Sequence, residues 1–282
     1  MFRRAWVIVV SLPIPWLCLA GALPAQDTKK DEKKESMPLS LTAMRLEVEA
    51  LNSFYTLKAT PEQMKEIQKL AKQTSQPGRN YKDPMVSDNY KQVLEDLHAA
   101  LVLATDEDQI DNLYDQYDQL NQSDKPKFDD DFEISEAARK AVPKILRQFK
   151  SGQVAGLLSY KVDELVDPQD RLFAAFEEVR KASNEEWQSV RDDAARDVGY
   201  LTAGLDGPKD KRICEKAASL LDKARKLNDE EFKTQRAELE KQAKSLIGDL
   251  GPMDVLRHAV EYDLGRLLSN PRLAEALKQR LK

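Results

Sequence analysis

From about residue 41 to the C-terminus, apolar side chains recur at intervals of three and four, and no segment sustains residue-by-residue alternation. That spacing draws one apolar stripe along a helix and cannot line one face of a strand. The first stripe is Met44, Val48, Leu51, Phe54 and Tyr55, which predicts a helix over about 41–57 with those side chains buried. The pattern then repeats: a polar residue opens a helix, an apolar stripe follows, and a short polar stretch closes it. The expected fold class is therefore all-α, with about ten helices in antiparallel hairpins or a bundle and no sheet. Composition agrees, because only 10 of 282 residues are glycine and Ala, Leu, Glu, Lys, Gln and Arg are abundant. Those residues lose little rotamer freedom in a helix.

The second helix is expected to begin at Thr60, the third to span about 87–104, and the fourth to start near Asp106 with Ile110, Leu113, Tyr114, Tyr117 and Leu120 inward. "NQSDKPKFDDDFE", residues 121–133, is the longest non-helical candidate. It suggests an acidic linker over 121–134 between a helical region at 41–120 and another at 135–282, either as two bundled halves or as one domain. Pro143 falls inside a helical stretch and should kink or restart it, since proline has no N–H and clashes with the preceding turn. Further helices are expected near 151–162, 168–181, 185–201, 208–227, 229–246, 252–268 and from 271 to the end.

Residues 1–25 follow different rules. Arg3 and Arg4 precede the uncharged run "AWVIVVSLPIPWLCLAGA", and "LPAQDTKKDEKKES" is abruptly polar. This is the three-part pattern of a secretory signal peptide, with cleavage expected after Ala25 or, alternatively, Ala22. An uncleaved N-terminal membrane anchor is the other reading. The run is short for a membrane span, and Pro13 and Pro15 interrupt it. Residues 26–40 read as a charged linker. The expected location is thus periplasmic or extracellular, with no membrane span in the mature chain.

Residues 1–25 hold two basic side chains, Arg3 and Arg4, and no acid, so the chain's 44 basic and 49 acidic residues become 42 and 49, a net charge of −7. An acidic chain lacks the basic footprint that neutralises phosphates, which argues against a nucleic-acid partner. Beyond Cys18 only Cys214 remains, so no intramolecular disulfide can form in the mature chain, and that thiol is expected to be buried and inert.

Thr60, Pro61 and Gln63 form an N-cap, a first-turn proline and a capping-box partner. Ser183 with Glu186 and Asn228 with Glu231 have the same spacing, and Asp167-Pro168 and Asn270-Pro271 repeat the cap-then-proline pair. The stretch "TPEQMKEIQKL" also resembles the LTxxQ element of the small periplasmic helical chaperones of the Spy type. Thr60 and Gln63 match the element, and Ala59 stands where its Leu would be. Those proteins carry the element twice. The nearest second copy is "FKSGQVAGLL", in which Gln153 matches and Phe149 and Lys150 replace the Leu and Thr. The resemblance spans less than a tenth of the chain. It implies a chaperone or stress-responsive binder that dimerises and holds client proteins on a concave face. Thr60, Gln63 and Gln153 are then the candidate protein-binding residues.

Catalytic patterns are sparse. Only His98 and His258 occur, and there is no Gly-rich phosphate loop and no G-x-S-x-G elbow. Glu95 and His98 make the Glu-x-x-His pair of di-iron bundles, but Val255 stands where a second copy at His258 would need Glu. Asp254, His258 and Glu261 share one helical face at i, i+4 and i+7, a candidate metal set or, with Arg257, a surface ion-pair face. Asp108, Asp111, Asp115 and Asp118 lack the glycine and alternation of a calcium loop and read as a solvated acidic face. No cofactor is expected. The reading favoured is an exported, non-enzymatic helical protein that binds another protein in the bacterial envelope. The alternatives are a Spy-like chaperone and, third, a metal-dependent enzyme.

Overall fold

The structure, a computed structural model, describes residues 39–128, 130–154 and 166–282. The expected signal peptide and nearly all of the 26–40 linker lie outside the described residues, as does most of the helix expected at 151–162, of which 151–154 are helical. Among the described residues all regular structure is α-helix, so the fold is all-α. The helices are α1 (Leu41–Thr56), α2 (Pro61–Thr74), α3 (Asp88–Leu103), α4 (Glu107–Asp124), α5 (Glu136–Leu146), α6 (Pro168–Lys181), α7 (Trp187–Ala203), α8 (Gly207–Lys226), α9 (Asp229–Ile247), α10 (Pro252–Ser269) and α11 (Leu273–Arg280). None is long and apolar enough to cross a membrane.

Local chemistry explains where these helices begin. Ser40, Thr60, Ser87, Ser135, Asp167 and Asn228 each accept a first-turn backbone N–H with the side-chain oxygen. That satisfies donors the helix cannot pair itself. The Thr60–Gln63 and Asn228–Glu231 capping boxes both form. Two expected starts differ. Ser183 Oγ binds Glu186 inside a turn, and α7 begins after it at Trp187. Asn270 does not open a helix: its side chain is buried, donates to the Leu46 carbonyl and accepts from the Arg272 N–H, so α11 starts only at Leu273. Helix α5 runs through Pro143 to Leu146.

The buried residues fall into two main cores. The first joins Val48, Leu51 and Phe54 of α1, Ile67 of α2, Leu94 and Leu97 of α3, Ile110 of α4 and Val142 and Ile145 of α5 to Leu264, Leu268 and Leu277 near the C-terminus. The second is formed by α6 to α9, around Phe176, Val198, Ile213, Leu221 and Leu239. Truncating any of these large side chains to Ala would cost roughly 2–5 kcal/mol. Helix α10 takes part in the first core and in a small third cluster. Val255 and Ala259 near its start pack with Leu201 of α7, and its second half enters the first core.

The expected division at 121–134 therefore does not separate two cores. Helix α5, beyond that segment, belongs to the first core, and the chain returns to it through α10 and α11 after building α6 to α9. The physical reason is that amphipathic stripes specify that a face is buried, not which partner buries it. The acidic segment is also shorter than expected, because α4 continues to Asp124.

Polar stitches fix the return. Thr74 Oγ1 donates to the Leu268 carbonyl at 2.8 Å, Ser135 Oγ donates to the Thr74 carbonyl at 2.6 Å, and the Ser135 N–H donates to Ser269 Oγ at 2.9 Å. These bonds join the ends of α2, α5 and α10 with their polar groups paired, which buried polar atoms require. At the end of α7, Gly204 has a φ of +57°, and an added Cβ would lie 2.6 Å from His258 Cδ2. Only glycine fits both that backbone and that contact.

Candidate functional site

The residues singled out by the LTxxQ resemblance meet in space. Gln63 Oε1 accepts the Thr60 N–H at 2.9 Å, and Gln153 Oε1 accepts the Lys150 N–H at 3.0 Å, so each caps its own turn. Each amide then reaches the opposite turn. Gln63 Nε2 donates to the Gln148 carbonyl at 2.8 Å, and Gln153 Nε2 donates to the Leu57 and Lys58 carbonyls at 3.1 and 3.0 Å. The two side chains also lie within hydrogen-bond reach of each other, at 3.0 and 3.1 Å. The result is a reciprocal clamp between the α1–α2 turn and the turn after α5. A space of about 340 Å³ opens beside the first of these turns, lined by Phe54, Lys58, Ala59, Met64 and Arg280.

The histidines turn to internal partners. His98 Nε2 lies 2.8 Å from a carboxylate oxygen of Glu47, while Glu95 is exposed on the neighbouring turn. Glu47 is fully buried and links α1 to α3 and α11. It also accepts from Arg272 Nε at 2.9 Å and from Gln279 Nε2 at 2.9 Å, and Arg272 Nη2 contacts it as well. Burial alone would raise the Glu47 pKa. The His98 hydrogen bond and the Arg272 charge overcome that and leave it below its ordinary value.

Glu47 was missed in the sequence reading. The available signal was its register: it sits four residues after Ala43 and four before Leu51, both buried, so it occupies the apolar stripe of α1. Conversely, Met44 and Tyr55 of the expected stripe are only half-buried. Tyr55 OH instead donates to Asp111, and its pKa is pushed up to about 12 by burial and by that carboxylate.

His258 is buried against the end of α7, with Nδ1 2.8 Å from the Leu201 carbonyl. Asp254 and Glu261 do not close around it; Arg257 lies 3.3 Å from Asp254 and 4.0 Å from Glu261. Among the described residues no group of three or more His, Cys, Asp or Glu converges as a metal site. Asp108, Asp111, Asp115 and Asp118 are exposed along α4. Cys214 is half-buried rather than fully buried. Its thiol lies 3.4 Å from Asp210 Oδ1, and its pKa is pushed up to about 12, chiefly by burial and then by Asp210.

The stretch 130–134 between α4 and α5 lies in the segment expected to be an acidic linker, but the partners that hold it were not legible in the sequence. It is non-helical, and side chains from elsewhere in the chain hold its backbone. Arg79 Nη2 donates to the Asp131 carbonyl at 3.2 Å, Arg266 Nη1 to the Phe132 carbonyl at 3.0 Å, and Gln76 Nε2 to the Glu133 carbonyl at 3.1 Å. The Arg266 guanidinium also lies 4.1 Å from the centre of the Phe132 ring. Asp130 pairs with Arg45. Three open spaces flank this strap, of about 360, 300 and 660 Å³, and Phe132 lines all three. The largest is bordered by Arg139, Arg196, Lys211 and Arg266 as well as by Asp210 and Glu136. Together they form a trough of mixed charge across which one irregular segment lies.

Comparison with known proteins gives no further lead, since no family model, curated protein or solved structure matches the chain.

Proposed function

We propose that the protein is an exported, non-enzymatic helical protein of the bacterial envelope that binds segments of other proteins in the trough around Phe132. One observation carries this reading: three carbonyls in succession, on Asp131, Phe132 and Glu133, are held by side-chain donors, with open space alongside. Donors aimed at backbone carbonyls recognise polypeptide as such, and neighbouring spaces take up side chains. Export is supported by the basic start and uncharged run of residues 1–25. A non-enzymatic role is supported by the engagement of His98 with Glu47 and of His258 with Leu201. The test is an unbiased displayed-peptide selection on residues 26–282. Enriched sequences whose capture is lost in Arg266→Gln support the reading; no enrichment above an unrelated acidic helical protein removes it.

A second reading, a Spy-type chaperone, is favoured by the pairing of Gln63 with Gln153, the two positions that match the LTxxQ element. Its client surface would be the space beside Lys58, Ala59 and Met64, and the protein would dimerise. Adding residues 26–282 to an unfolding client at rising molar ratio tests it. Aggregation no lower than with the acidic control protein ends that reading.

A further inference from the structure

We infer that the trough's natural ligand is an acidic–aromatic peptide segment of another protein, and that residues 130–133 occupy the site in cis as a displaceable self-ligand. This rests on the protein-binding reading of the same trough. The strap's apolar packing into the first core is at its ends, and polar and cation–π contacts hold its middle. Phe128 packs against that core beside Tyr90, and Ile134 is buried so closely against Gly265 that a Cβ there would sit 3.0 Å away. Between them Phe132 joins neither main core: its ring is held by the Arg266 guanidinium. Asp131 is exposed, and its carboxylate lies 3.8 Å from Arg266. The middle of the strap can therefore lift without opening the core.

The chemistry of the occupant defines the chemistry of the ligand. Arg45 meets the Asp130 carboxylate, Arg266 meets both the aromatic ring and a carbonyl, and Arg79 and Gln76 meet carbonyls on either side. Three guanidiniums around one segment favour acids next to an aromatic ring, since guanidinium pairs with carboxylate and stacks on π-faces. A ligand in trans must compete with a tethered segment, and a short tether holds its site at millimolar effective concentration. Apparent affinity is then reduced by the fraction of time the strap is down.

The experiment titrates a labelled peptide copying residues 130–135, DDFEIS, onto residues 26–282. The expected result is weak binding to the natural sequence and about tenfold tighter binding to Phe132→Ala, which removes the ring that the cis segment places under Arg266. Arg266→Gln in the Phe132→Ala background should abolish the gain, and a peptide with Lys at the acidic positions should not bind. Equal affinity for the natural sequence and Phe132→Ala overturns the proposal, as does equal binding of the Lys peptide. Hydrogen exchange gives a second readout that needs no substitution. Amides of 131–134 should exchange far faster than those of α5, and equal protection also overturns the proposal. Should the displayed-peptide selection enrich sequences of other chemistry while DDFEIS stays unbound, this inference fails and the protein-binding reading stands.

Discussion

Glu47→Gln tests whether a single buried carboxylate holds the returning C-terminal segment in place. The natural side chain accepts from His98, Arg272 and Gln279 at once. A carboxylate can accept all of these; an amide has one oxygen and turns N–H groups toward the remaining donors. Removing one partner of a buried ion pair costs roughly 3–5 kcal/mol, because the other charge stays unpaired. Arg272 keeps a quarter of its side chain in solvent and can regain water, which places the cost near the lower end, about 3 kcal/mol. For a chain of this size that lowers the melting temperature by about 6–12 °C. Adding Arg272→Met removes the stranded charge and should recover about 1–2 kcal/mol, a coupling expected of groups in direct contact. Urea unfolding of residues 26–282 followed by far-UV circular dichroism measures both. Trp187 is the only tryptophan after residue 25 and lies on α7, so its fluorescence reports the second bundle separately. A loss below about 1 kcal/mol for Glu47→Gln, or full additivity in the double variant, would refute the reasoning.

Because the folded pKa of Glu47 lies below its ordinary 4.5, its contribution is present above that pH and lost as pH falls through the depressed folded value. The stability gap between the natural protein and Glu47→Gln should accordingly narrow as the solution is acidified below pH 4.5; a constant gap contradicts the assignment. Gln63→Ala and Gln153→Ala should each cost about 1–2 kcal/mol, and the double variant less than their sum, since each removes bonds that the other residue shares. Strict additivity would show that the two turns do not brace each other. The Cys214 thiol, held up to about 12, should alkylate at mildly alkaline pH about a thousandfold more slowly than a free thiol and recover ordinary reactivity in urea; equal native and unfolded rates would contradict its burial.

Much of this protein was legible without coordinates. Helix existence and starts followed from local rules, because a cap and a stripe act within one or two turns: Thr60 opens α2, Asp167 opens α6 and Asn228 opens α9. The exposed acids of α4 followed from the same periodicity. What a side chain does after the helix forms was less legible. Asp229 and Glu240 each stand four residues before a lysine of α9, Lys233 and Lys244, the spacing of a helical ion pair, yet Asp229 pairs with Arg180 of α6 and Glu240 with Arg236. Exposed pairs differ by only a few tenths of a kcal/mol, so tertiary neighbours decide among them.

The sequence by itself determined the all-α class and most helix boundaries, since hydrogen bonds within each helix and the caps at its ends are contacts between near neighbours in the chain. It also placed Gln63 and Gln153 together as positions of interest. Only the tertiary structure decided that the two amides exchange bonds across 90 residues, that α10 and α11 return to complete the first core, and that Glu47 anchors them. It alone laid Phe132 under Arg266, 134 residues from its hydrogen-bond donor. Apolar stripes and stray charges state what must be buried or paired; which surface meets them is settled only when all the helices compete for the same faces.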